Sequence, residues 1–205
     1  MALLRPLTMI TFENKGASMT APPSLHHAAR HGIGFREITD QDKMFLLSLY
    51  RSTREAELAQ VDWSDKEKQA FCKMQFEAQH SHYQQHYPDA LWLMIEQAQA
   101  PIGRLYLERW PNEHRIIDIA LTPDARGRGI GTDLLRDLQD AAAVDGARGI
   151  GIHVEKANPA MALYHRLGFT KREDKGVYDL LFWAPTEADQ PASDPAGDQV
   201  NTASY

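Results

Sequence analysis

The chain has a single cysteine, Cys72, among 205 residues. No internal disulfide can form, and a reducing compartment is implied. Cys72 sits in a helical pattern, which favours a buried structural thiol over a nucleophile. Long apolar runs are also lacking, so no segment reads as a membrane span. The N-terminal stretch has neither the apolar core nor the cleavage pattern of a signal peptide, and a cytoplasmic location is the expectation. Positive charge is in deficit, with 22 Lys and Arg against 28 Asp and Glu and a formal net charge of −6. That balance argues against nucleic acid or an anionic membrane as the main partner and is compatible with a cationic amine substrate. There is no internal repeat, and 43% hydrophobic residues suit one substantial core.

Lysine is missing from Ile116–Leu135, IIDIALTPDARGRGIGTDLL, and that absence is informative. A Walker phosphate loop needs Gly-Lys-Ser/Thr, and a dinucleotide fingerprint needs a third glycine where Thr132 stands. ATP- and NAD-dependent readings fail on those two points. What remains is a β-branched run from Ile116 to Leu121, a break at Pro123-Asp124, a glycine-dense loop, and helical periodicity from Thr132. A glycine loop opening a helix presents unpaired backbone N–H groups at the positive end of the helix dipole. Such a loop suits a phosphate or pyrophosphate, with Gly127, Gly129 and Gly131 allowing the tight turn. A ligand-free strand-to-helix turn is the bland alternative.

A second constellation follows. Ile150–Glu155 reads as a strand, and Asn158–Phe169 (NPAMALYHRLGF) as loop, helix and glycine stop, with Pro159 in the first turn and Gly168 at the end. The segment Arg126-Gly127-Arg128-Gly129-Ile130-Gly131 matches Gln/Arg-x-x-Gly-x-Gly/Ala, and Asn158 precedes Leu163-Tyr164-x-x-x-Gly168-Phe169. On these two motifs, in order and with a strand between them, the chain resembles the GNAT superfamily of N-acetyltransferases.

The remaining elements read in chain order. Residues 1–33, with Pro22-Pro23, His26-His27 and internal methionines at Met9 and Met19, are expected to form a poorly ordered extension with solvated histidines. Phe35–Ile38 reads as a strand. Thr39-Asp40-Gln41-Asp42 is a variant capping box opening a helix to Leu58, and Ser64-x-x-Glu67 opens a second helix to about His86. Phe71, Met74, Gln75 and Ala78 are the expected inward face of that second helix, and Trp63, Tyr83 and Tyr87 are either core or walls of an acceptor pocket. His82 and His86 share a helical face but lack a third ligand, so no metal is expected. Strands are expected at 91–95, 102–108, 114–122 and 177–183, with a turn at Lys171–Gly176 and a disordered tail over 184–205.

The resemblance, covering roughly Phe35–Trp183, implies one α+β domain over 34–183. Its expected form is a mixed, mostly antiparallel sheet flanked by helices, in the order β-α-α-β-β-β-α-β-α-β. It implies acetyl-CoA as acyl donor, no metal, and a small-molecule or protein amine as acceptor, with a homodimer as the assembly by analogy. Carried over, backbone groups of Ile119, Leu121 and Thr122 hold pantetheine. Amides of Arg126, Gly127, Arg128, Gly129, Ile130, Gly131 and Thr132 hold the pyrophosphate, and Asn158 binds the pantetheine arm or merely caps a helix. Tyr164 is the general acid toward the leaving thiolate. Base candidates are Asp118, His153 and Glu155, with ordered water as the alternative. Arg51, Arg54, Glu55 and Glu57, in a stretch similar to a group of uncharacterised bacterial members, are candidate acceptor contacts or a solvated face of paired charges. The competing reading is a non-catalytic acyl-CoA-binding module.

Overall fold

The computed structural model describes residues 19–186. Its elements are β1 (Ile33–Glu37), α1 (Lys43–Leu58), α2 (Asp65–His86), β2 (Leu91–Gln97), β3 (Ala100–Arg109), β4 (His114–Leu121), α3 (Ile130–Val144), β5 (Ile150–Glu155), α4 (Met161–Arg166), β6 (Thr170–Lys175) and β7 (Tyr178–Trp183). The seven strands lie in the order β1-β2-β3-β4-β5-β7-β6. Every neighbouring pair is antiparallel except β4 and β5, which the α3 crossover makes parallel. This is the α+β mixed sheet expected from the sequence, with one strand more.

That strand is β6. Thr170–Lys175 (TKREDK) has no apolar alternation and reads from sequence as part of the turn Lys171–Gly176, yet it pairs with β7 and forms the sheet edge. An edge strand needs only one partner and no buried face, and a charged, bulged edge resists pairing with other chains.

Two apolar cores sandwich the sheet. One joins it to α3 and α4 through Leu105, Leu107, Ile116, Ile130, Leu134, Leu138, Ile152 and Phe169; the other joins it to α1 and α2 through Leu46, Tyr50, Leu58, Cys72, Phe76 and Met94. The Ser64–Glu67 capping box forms reciprocally, and Cys72 is buried as expected. The inward face of α2 is shifted from expectation. Cys72, Phe76 and Gln79 are buried, whereas Met74 is 57% exposed. Spacings of four and three carry this face on to Tyr83, so an aromatic-rich tail sets the helix rotation rather than Met74.

Residues 1–18 and 187–205 lie outside the described residues, and with them most of the expected extension and tail. Residues 19–33 depart from the expectation of poor order. The Met19 N–H bonds the Arg109 carbonyl at 2.9 Å, Ala28 is fully buried, and the His26 and His27 backbone amides bond Asp137, while His26 itself is exposed as expected. Among the described residues no helix is long and apolar enough to cross a membrane.

Candidate active site

Two parallel strands that part are the centre of the site. β4 and β5 pair only at His114–Ile150, Arg115–Gly151 and Ile116–Ile152. Beyond that point β4 continues against β3, through Ile119–Leu105 and Leu121–Gly103, and β5 continues against β7, through His153–Leu180 and Glu155–Tyr178. The facing edges of β4 and β5 therefore have no ladder partner there among the described residues. Such an edge can pair with an extended ligand backbone. A bulge assists the parting: Tyr106 opposes Asp118 while Leu107 opposes Ile116, so Ile117 is the extra residue. Asp118 is thereby set opposite Tyr106 rather than held in simple alternation along β4.

The glycine loop closes the far end of this gap. Thr122 is fastened by its N–H to the Ile102 carbonyl at 2.8 Å, and a short 3-10 turn, Pro123–Ala125, leads into the loop. Gly127 and Gly129 have φ of +70° and +85°, the left-handed region where a side chain is strained. Gly129 caps α3, and Ile130, 1% exposed, anchors its first turn in the core. The first helical bond runs from the Asp133 N–H to the Gly129 carbonyl at 3.1 Å. The N–H groups of Ile130, Gly131 and Thr132 thus have no intrahelical acceptor and gather at the positive end of the helix dipole. Arg126 donates to the Leu121 carbonyl at 2.8 Å and to Ser52 Oγ at 3.1 Å, tying the loop to α1. Arg128 is exposed.

Tyr164, on α4, is 5% exposed and packs edge-on against Phe169 with ring centroids 5.6 Å apart. Burial, and then the charge of Asp118, hold its phenol well above the ordinary value, so it stays protonated and can act as a proton donor. Asn158 Oδ1 accepts the Ala160 N–H at 2.9 Å and caps the approach to α4, which leaves its amide NH2 as the donor group.

The base candidates differ sharply in setting. Asp118 is held by Arg104, with Nη2 at 2.9 Å and Nε at 3.2 Å, so its oxygens are committed to an ion pair. Arg104 is 3% exposed, also reaches Gln79 Oε1 at 3.4 Å, and lies 5.2 Å from the Tyr106 ring centroid. Burial, aided by Arg115 and Lys175, pulls His153 down to about 4, leaving a neutral but weak base. Glu155 is half-buried at the end of β5 and lines a cavity of about 310 Å³ with Lys156, Ala157, Gly176 and Val177.

Of the four α1 candidates, Arg54 and Glu57 pair with each other. Arg54, 8% exposed, holds Glu57 at 3.1 Å. Burial raises the Glu57 carboxyl, Arg54 opposes the rise and the charge of Glu155 adds to it. Arg51 instead pairs with Asp65 at the start of α2 and with Glu55 at 4.0 Å. Sequence reading passes over Arg104, Tyr106 and Gln79. Their signal is the alternation Arg104-Leu105-Tyr106-Leu107-Glu108, in which every second residue is polar or aromatic on a strand that proves buried on both faces. The Tyr50 hydroxyl, in the core on the α1 and α2 side of the sheet, is buried with no hydrogen-bond partner among the described residues.

A parted parallel pair, a glycine loop at a helix N-terminus and a buried tyrosine are the features this site presents. The chain belongs to the acetyltransferase (GNAT) family, whose model matches residues 46–169. It is 39% identical over 70 residues to mycothiol acetyltransferase of Corynebacterium glutamicum, over 34% of this chain and only 24% of that protein. The chain therefore matches about a quarter of that relative's length. Similar solved structures include the PaiA N-acetyltransferase of Thermoplasma acidophilum in complex with coenzyme A, with a TM-score of 0.56, 18% identity and coverage of 75% of this chain and 99% of that one. An acetyltransferase from Thermus thermophilus gives 0.55, 19%, 75% and 97% in the same terms. At these identities the likeness is one of fold.

Proposed function

We propose that this protein transfers an acetyl group from acetyl-CoA to a primary amine by direct attack in a ternary complex. The observation that carries this reading is the parting of β4 and β5 after three residue pairs, between the glycine loop and Tyr164. The residues fit the coenzyme. The gap-facing backbone of Ile119 suits the pantetheine amides, with Leu121 beside it giving its carbonyl to Arg126, the loop N–H groups and Arg126 and Arg128 suit a pyrophosphate, and the Asn158 amide NH2 suits the pantetheine arm. The coenzyme supplies a thioester, whose carbonyl carbon is the electrophile.

On this reading the amine nitrogen bonds to that carbon, the C–S bond breaks, and the Tyr164 phenol gives its proton to the departing thiolate. The nitrogen loses a proton in turn, and the phenolate is reprotonated, so thioester and amine become amide and thiol. Glu155, half-buried at the end of β5, draws in a cationic amine and takes its proton directly or through water. Asp118 serves by holding Arg104 rather than as the base. Tyr164→Phe tests the assignment. Acetyl-CoA affinity should be unchanged while turnover on a panel of primary amines falls by roughly a hundredfold or more. Full turnover in that variant would remove Tyr164 from the reaction. No turnover with any amine in a wild type that binds acetyl-CoA would favour a non-catalytic binding module.

A further inference from the structure

Residues 19–32 precede β1 and lie outside the family match, yet they run along α3, the helix that opens from the glycine loop. Aspartates on α3 hold them there. Asp137, fully buried, accepts the backbone N–H groups of His26 at 2.8 Å, His27 at 2.7 Å and Ala28 at 2.9 Å. Asp140 Oδ2 lies 3.0 Å from His27 Nε2. His27, Asp137 and Asp140 bring ligand-type atoms within 4.8 Å of one another, but the Asp137 oxygens are spent on three N–H groups, so this cluster works as a clamp.

Asp133 has a different consequence. It stands in the first turn of α3 with no side-chain exposure, and its Oδ2 takes Arg30 Nε at 2.8 Å, Arg30 Nη2 at 2.5 Å and His31 Nε2 at 2.7 Å. Arg136 Nη1 lies 3.6 Å from its other oxygen. His31 also lies beside the loop, since a Cβ on Gly129 would be 3.8 Å from its Nε2. An ionised carboxylate in the first turn of α3 would repel a pyrophosphate held at that helix N-terminus, and the cations that meet it are Arg30, His31 and Arg136. Burial opposes the charge on Asp133, but His31 and Arg30 together outweigh burial and keep the carboxyl ionised.

We infer that the segment 19–32 is part of the coenzyme site, with Arg30 and His31 acting as positioning residues that offset Asp133 so that the loop attracts a diphosphate-bearing donor. The inference rests on the coenzyme reading above. Its test compares coenzyme A with acetyl-pantetheine, which lacks the phosphates, on Arg30→Gln/His31→Gln and on the same pair combined with Asp133→Asn. The Asp137 clamp and β1 keep the segment docked in both. At an effective dielectric near 20 a bare carboxylate in the first turn of α3 repels a diphosphate at that helix N-terminus strongly enough that the double variant should bind coenzyme A roughly tenfold or more weakly by calorimetry. Adding Asp133→Asn should restore most of that affinity, and the KM for acetyl-pantetheine should not change in either variant. Wild-type affinity in the double variant, no recovery in the triple, or an equal loss with acetyl-pantetheine would each overturn the inference. Absence of coenzyme A binding in the wild type would instead remove the coenzyme reading, and this inference with it.

Discussion

Arg104 of β3 reaches across the bulged strand pair to hold Asp118 of β4 by two hydrogen bonds, at 2.9 and 3.2 Å. The guanidinium is 3% exposed, so the pair is a buried one and neither partner can be removed alone without leaving an uncompensated charge. Asp118→Asn should therefore lower stability by roughly 3–5 kcal/mol in chemical denaturation, and Arg104→Met combined with Asp118→Leu should cost much less. A fully stable Asp118→Asn protein would show that Arg104 finds compensation elsewhere and would free Asp118 to be considered as a base again.

The same pair shows what is legible in the sequence. The glycine loop, the second motif and the two capping boxes are local patterns, and each stands where its residues indicate. The bulge at Ile117 is a property of pairing between strands, and nothing in IIDIAL alone distinguishes a bulged from a regular strand. Asp118 can be singled out as a polar residue in an apolar run, but its partner lies 14 residues away on another strand. β6 is hidden because an exposed edge strand carries no hydrophobic pattern, and the face of α2 is misjudged because Met74 is exposed while Gln79 is buried. The ordered segment over residues 19–33 is hidden for a related reason: it is held by backbone N–H groups on Asp137, and backbone groups leave no mark in a sequence.

The charge of Glu155, on β5, contributes to raising the carboxyl of Glu57, on α1. Glu155→Gln should move the Glu57 titration downward, read by NMR of its side-chain carboxyl. The KM for cationic amines should rise in the same variant while that for acetyl-CoA stays constant. An unmoved Glu57 titration would mean that the charge of Glu155 does not act on Glu57.

Glu108 supplies a pH dependence remote from the chemistry. It is 3% exposed, its Oε2 has no hydrogen-bond partner among the described residues, and burial with the nearby Asp89 raises its carboxyl from 4.5 to about 7 against the opposing charge of Arg115. The folded protein holds a proton there that the unfolded chain gives up above 4.5, so stability falls as pH rises from about 4.5 to 7 and then levels off. Glu108→Gln keeps the neutral form at every pH. Relative to wild type it should gain up to roughly 3 kcal/mol above about pH 7 and little at about pH 4.5. Equal differences at about pH 5 and about pH 8 in denaturant titrations would show that Glu108 is not the group responsible.

Gly129 separates the loop's backbone role from its ligand role. At φ +85° any side chain is strained, so Gly129→Ala should lose on the order of 1–2 kcal/mol in the unliganded protein. Its N–H groups remain, and the alanine variant should still be stabilised by coenzyme. Gly129→Glu carries the same strain and adds a carboxylate where the pyrophosphate would lie, beside His31. At about a hundred times its dissociation constant, acetyl-CoA should stabilise wild type by roughly 2.7 kcal/mol in thermal unfolding. The glutamate variant should show no such shift at the same concentration, while the alanine variant keeps a reduced one. Equal shifts in all three proteins would place the coenzyme away from this loop, and no shift in any of them would leave a GNAT fold without its expected donor.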